Sequence, residues 1–252
     1  LAHGVILHIT LKGDEMERLT DHVVLVTGAT GGIGGAIARR LHEAGAKVAL
    51  SARNEAKLDA LRDELGGEAF AVAADVTDEA QVVAAITAAK QRFGRIDTLI
   101  NVPGLSVPAK LAEMSVDDFA RTFDVNVKGM FLCAKHFVQQ ADPARGGLIV
   151  SISSVAGKAA NPNAPAYCAA KAAMNMLSQG LALQTKQANI RVSVVSPGAV
   201  STTGFWGDRP VPHEKFLQPD DVAGVVTYVV GLPEHIVVHD VVFEPWHFYK
   251  SK

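Results

Sequence analysis

Aromatic residues account for only 6% of this 252-residue chain, and cysteine occurs twice, at Cys133 and Cys168. The scarcity of rings leaves Ala, Val, Leu and Ile to supply most of the 48% hydrophobic content, the composition of helices packed on buried parallel strands. Two cysteines with neither a CxxC pair nor a zinc spacing argue against a structural disulfide and suit a reducing compartment. HExxH, a paired-cysteine site and a nucleophile elbow are all missing, which leaves zinc and serine-hydrolase chemistry nothing to rest on. His235 and His239 flank Ile-Val-Val on an apparent strand approach, a spacing that does not make a metal pair, so no metal is expected. Charge is scattered, with a formal net of -2 and no long basic run, so nothing steers the surface toward nucleic acid or anionic lipid. No run approaches the roughly 18 apolar residues of a membrane span. A soluble, cytoplasmic protein acting on small molecules is the expectation. Residues 1–15 have no basic leader or small-residue cleavage site; they read as an extension or cloning remnant ahead of Met16.

From Val23 onward, short β-branched runs alternate with longer amphipathic stretches. The candidate strands are Val23–Val26, Lys47–Leu50, Ala69–Ala73, Thr98–Asn101, Leu148–Ile152, Val192–Val195 and Val241–Phe243. Helices are predicted over 33–44, 54–65, 79–93, 116–140, 165–187 and 219–231. That rhythm predicts an α/β, Rossmann-like, doubly wound parallel sheet of about seven strands with helices on both faces. With no repeat and no low-complexity linker, residues 16–252 read as a single domain. The irregular segment Ser201–Gln218 follows the sixth strand, on the sheet edge where such folds bind ligands.

Two motifs carry the chemistry. Thr27-Gly-Ala-Thr-Gly-Gly-Ile-Gly34 joins the first strand to a helix, and its glycines let the backbone approach a pyrophosphate at the helix N-terminus. Tyr167 and Lys171 stand four apart in Tyr-Cys-Ala-Ala-Lys, with Ser154 thirteen positions upstream. On a helix those two side chains share a face, so an ammonium can favour the ionised phenol. Reduction of a carbonyl by hydride leaves negative charge on oxygen and requires a proton donor, for which Tyr167 is the candidate.

TGxxxGxG, Tyr-x-x-x-Lys and Ser196-Pro197-Gly198, in that order, closely resemble the short-chain dehydrogenase/reductase family across residues 19–244. The resemblance implies a nicotinamide dinucleotide held by Gly28, Thr30, Gly32, Ile33 and Gly34. It further implies Asp75 and Val76 at the adenine, Asn101 opening the fourth-strand motif, and Pro197, Gly198, Val200 and Thr202 near the carboxamide, with Tyr167 and Lys171 also meeting the cofactor. Ser154 then matches the substrate-orienting serine, with Ser153 the nearest mistaken choice, and Asn126 matches the helix asparagine that organises water beside the lysine. At the end of strand two, where NAD-preferring relatives carry a carboxylate, this chain reads Ser51-Ala52-Arg53-Asn54. A guanidinium suits a 2′-phosphate, so NADP(H) is preferred over NAD(H), with an exposed helix-capping arginine as the plain alternative. Gly31 stands where a second basic residue often helps.

The family's Asn-Asn-Ala-Gly is here Asn101-Val102-Pro103-Gly104, which loses an amide side chain and a backbone donor and is expected to reshape the strand end beside the nicotinamide. The expected substrate wall combines Leu105, Lys158, Asn161, Phe205 and Trp206. The C-terminal stretch Glu234–Pro245 resembles relatives that act on 3-hydroxy acids and small alcohols, and lacks the Asp-Gly-Gly ending of acyl-carrier reductases. Related proteins pair subunits through the helices at 116–140 and 165–187, here carrying Ala134, Ala172 and Leu177, which implies a homodimer or homotetramer. The reading is an NADP(H)-dependent carbonyl/secondary-alcohol oxidoreductase. The alternatives are an NAD-preferring enzyme, a 3-oxoacyl-carrier reductase, and a silent nucleotide-sensing interaction protein.

Overall fold

The computed structural model describes residues 19–207 and 209–249; the expected extension at 1–15 and Met16 lie outside them. Seven parallel strands form one sheet in the order β3-β2-β1-β4-β5-β6-β7. They are β1 (Val23–Thr27), β2 (Lys47–Ala52), β3 (Ala69–Ala73), β4 (Thr98–Asn101), β5 (Gly147–Ile152), β6 (Ile190–Pro197) and β7 (Asp240–Phe243). The chain builds outward from β1 to β3, then returns to lay β4 on the other side of β1. The crevice at the carboxyl ends of β1 and β4 is therefore the topological switch point.

The sheet is buried on both faces, which is why its central strands read as unbroken apolar runs. Val24, Val26, Val48 and Val150 face one core, packed by α1 (Gly32–Glu43), α2 (Glu55–Leu65) and α8 (Pro219–Val230). Leu25, Leu99 and Ile149 face the other, closed by α3 (Glu79–Phe93) and α5 (Gly129–Gln140). Helix starts are written in the sequence. Asn54, Asp78 and Ser115 accept backbone N–H bonds at 2.9, 3.1 and 3.0 Å, capping α2, α3 and α4 (Val116–Phe123).

Two predicted helices differ from expectation. The stretch 116–140 is α4, one π turn at Asp124–Lys128, then α5. The stretch 165–187 is α6 (Pro165–Gln184), which stops when Thr185 Oγ1 donates to Leu181 O or Ile190 O, at 2.9 and 3.0 Å. Asn189, with φ +54°, then turns the chain into β6. Short helices α7 (Thr203–Trp206) and α9 (Trp246–Tyr249) sit at the carboxyl edge of the sheet.

Candidate active site

The turn after β1 is tight because two glycines permit it. Gly28 has φ +70°, and a Cβ on Gly34 would fall 2.2 Å from Gly28 O. Gly31, which precedes α1, supplies no side-chain cap, and the first turn has no acidic residue, so its N–H groups and positive dipole end are left for an anion. Thr30 and Ile33 are half-buried at this turn and Gly32 is exposed. A Cβ on Gly32 would stand 2.8 Å from Thr202 Cγ2, so the loop after β6 meets the turn after β1 there. These features fit a dinucleotide pyrophosphate.

Arg53 is exposed just past β2, and no hydrogen bond or ion pair engages it among the described residues. The capping of α2 falls to Asn54 rather than to this arginine. Asp75 is half-buried and accepts from the backbone and hydroxyl of Thr77 at 2.9 and 2.8 Å. Val76 packs toward Gly129 at the start of α5, and shares with Thr27, Asn101 and Met174 the wall of a cavity of about 10 Å³. Asn101 is 3% exposed, and neither end of its amide has a partner among the described residues. Pro103 rests on Gly28, where a Cβ would meet its ring at 3.1 Å, so the unusual strand end packs directly on the glycine turn. Pro197 closes β6, Gly198 N donates to Phe243 O at 2.8 Å, and Val200 bridges to Leu217.

Tyr167 and Lys171 occupy the first turns of α6, which begins at Pro165 with its pre-set φ. Ser154 caps the 3-10 turn after β5, its Oγ accepting from Ala156 N at 3.1 Å, and its side chain hydrogen-bonds Tyr167. Lys171 Nζ lies 5.8 Å from the Tyr167 ring centroid and donates to Ile152 O at 2.9 Å. Lys171 is 2% exposed, and burial pulls its pKa down to about 7. Burial also pushes the Tyr167 phenol up to about 12, opposed by the Ser154 hydrogen bond. Burial thus holds the phenol in its acid form. Asn126 lies in the π turn with Nδ2 donating to Leu105 O and Thr122 O at 2.7 and 2.8 Å. Its buried Oδ1 has no partner among the described residues, and a Cβ on Gly104 would lie 3.4 Å from both that oxygen and Lys171 Nζ. Asn126, Gly104 and Lys171 thus converge.

The segment after β6 closes over Tyr167 with a chain of rings. Phe205 stands 5.8 Å from Tyr167, Trp206 5.3 Å from Phe205, Phe216 5.1 Å from Trp206, and Phe248 5.6 Å from Phe216, centroid to centroid. Trp206 Nε1 donates to Val200 O at 2.7 Å, and Ser201 Oγ lies 2.9 Å from His213 Nδ1. Arg209, His213, Phe216 and Phe248 were missed from the sequence; only the aromatic content of the segment signalled a wall. Lys158, expected on that wall, instead pairs with Asp240 on β7. Asn161 is exposed, its side-chain Oδ1 accepting from Asn163 N at 2.9 Å. Ala134, expected on a subunit face, is buried in its own chain's core.

The family model for short chain dehydrogenases matches residues 22–210. The chain belongs to this family. Among curated relatives, an uncharacterised oxidoreductase of Staphylococcus aureus strain USA300 is 35% identical over 231 residues, covering 91% of this chain and all of that one. Among solved structures, an alcohol dehydrogenase of Thermococcus sibiricus complexed with 5-hydroxy-NADP superposes with a TM-score of 0.80 at 30% identity, covering 88% of this chain and 95% of that one. A 7α-hydroxysteroid dehydrogenase complexed with NADH and 7-oxo glycochenodeoxycholic acid gives 0.83 at 29% identity, covering 90% and 94%. This short-chain dehydrogenase is an oxidoreductase. No helix of its described residues is long and apolar enough to cross a membrane.

Proposed function

We propose that the protein interconverts a carbonyl and a secondary alcohol using NADP(H), with Tyr167 as the acid in reduction and the base in oxidation. The observation that carries this reading is the convergence of Ser154, Tyr167 and Lys171 at the crevice beside the uncapped α1 turn. The nicotinamide, when bound, supplies or accepts the hydride. The chain does the rest. Gly28, Gly34 and the α1 N-terminus bind the pyrophosphate, and Arg53 binds the 2′-phosphate through charge-assisted bonds. Ser154 Oγ orients the substrate oxygen while Tyr167 Oη gives up its proton to it. Lys171 and Asn126, meeting at Gly104, hold the polar end of a path by which that proton is replaced. Phe205 and Trp206 exclude water from the reacting carbonyl.

The neighbour solved with 5-hydroxy-NADP supports a phosphorylated cofactor, while the one with NADH keeps the alternative alive, so Arg53 decides between them. Initial rates with NADPH and NADH, for wild type and Arg53→Ala, test this. A rise of about tenfold or more in KM for NADPH alone is expected from the loss of a charged hydrogen bond. Equal effects on both cofactors would remove the phosphate role. Exposed Val116, Phe119, Phe131, Met176 and Leu183 on α4, α5 and α6 support a homodimer or homotetramer, with light scattering as the check.

A further inference from the structure

Arg209 is half-buried in the segment between β6 and α8. Its Cζ lies 4.9 Å from the Trp206 ring centroid and 5.6 Å from that of Phe205. Nε donates to Trp206 O at 2.7 Å and Nη2 donates to Phe205 O, the last carbonyls of α7. Nη1 has no protein acceptor among the described residues, and none of their carboxylates reaches salt-bridge distance of the guanidinium. Elsewhere Arg39, Arg40, Arg62, Arg95 and Arg121 each pair with a carboxylate. Lys158, also expected on the substrate wall, is neutralised by Asp240. Among the described residues Arg209 is thus an unmatched charge beside the site, and a single ring, Phe205, separates it from Tyr167 at 5.8 Å between centroids.

We propose that Arg209 determines specificity by binding the anionic group of the substrate. The substrate is then an oxo acid, or in reverse a hydroxy acid, whose carboxylate and reacting carbonyl are separated by an apolar segment lying along Phe205 and Trp206. This rests on the oxidoreductase reading above and adds the substrate class to it. A guanidinium stays charged at every relevant pH and offers a planar fork that fits a carboxylate. Aromatic walls beside it exclude water, which strengthens that charge-assisted bond. The two carbonyl contacts orient the fork without neutralising it. They also define the plain alternative, in which Arg209 only ties off α7 and its charge is incidental.

The test is steady-state reduction by the full-length enzyme of levulinate and benzoylpropionate, each against its primary amide, in wild type, Arg209→Gln and Arg209→Lys. The wild type is expected to prefer the acids. Arg209→Gln should lower kcat/KM for the acids by about 10- to 100-fold, through KM, while leaving the amides within about twofold. Arg209→Lys should restore part of the loss. Equal losses on acids and amides would mean a structural strut and overturn the proposal, as would a wild-type preference for the amides. Turnover of acids and amides alike, with neither depending on Arg209, overturns the proposal and leaves the oxidoreductase reading standing. No turnover of any carbonyl overturns both.

Discussion

Replacing Lys171 with Met should make the cofactor-free protein more stable at neutral pH while abolishing turnover. Among the described residues the buried ammonium has Ile152 O at 2.9 Å and Met174 Sδ at 3.6 Å as its acceptors, and no carboxylate beside it. Its pKa near 7 in the fold, against 10.5 for the free side chain, corresponds to about 5 kcal/mol of destabilisation when the group is kept charged. The sign follows from proton binding. Between about pH 7 and 10.5 the unfolded chain holds a proton on Lys171 that the folded chain has released, so stability rises with pH across that window. Below it both states are protonated and the penalty is constant; above it neither is, and the penalty is gone. Methionine is close in length and apolar, so it removes the penalty at the cost of one hydrogen bond. Urea unfolding followed by tryptophan fluorescence should show Lys171→Met ahead of wild type at pH 7 by roughly 3 kcal/mol, with most of that lead gone at pH 10. A gap that does not change with pH would refute the reasoning.

Other outcomes follow from the same geometry. Gly34→Ala must open the turn, because its Cβ would lie 2.2 Å from Gly28 O; calorimetric titration should show NADPH affinity falling at least about tenfold with the circular dichroism unchanged. Phe137, among the largest fully buried side chains, closes the α5 side of the sheet; Phe137→Ala should cost about 3–5 kcal/mol in urea unfolding. Tyr167, raised to about 12 by burial, is the acid at neutral pH; alcohol oxidation, which needs the phenolate, should climb with pH from 7 to 10, while carbonyl reduction should not. A flat oxidation profile, with the chemical step shown to limit the rate, would count against Tyr167 as the base.

The sheet was legible in the sequence because both of its faces are buried, so Val23–Thr27 and Leu148–Ile152 show as apolar runs between glycine and polar punctuation. Tyr167 and Lys171 were legible because helical spacing alone puts them on one face. The break at Asn126 was not, since the π turn depends on an amide reaching Leu105 O on a distant loop. Nor was the direction of the Tyr167 shift, which is set by how deeply the fold buries the phenol. The ring chain from Phe205 to Phe248 joins segments that only the fold brings together, and Arg209 stands out only once it is seen over the rings of Trp206 and Phe205. Lys158 shows the converse: a suitable charge in a suitable loop, taken by Asp240 on β7.

The central claim is that Tyr167 moves the proton at the reacting oxygen. Its most direct test is NADPH oxidation against ketones and oxo acids by wild type and Tyr167→Phe, with cofactor affinity measured in parallel. The account predicts that the variant binds NADPH as wild type does and loses turnover by at least about 100-fold. Undiminished turnover in a variant that binds normally would contradict it.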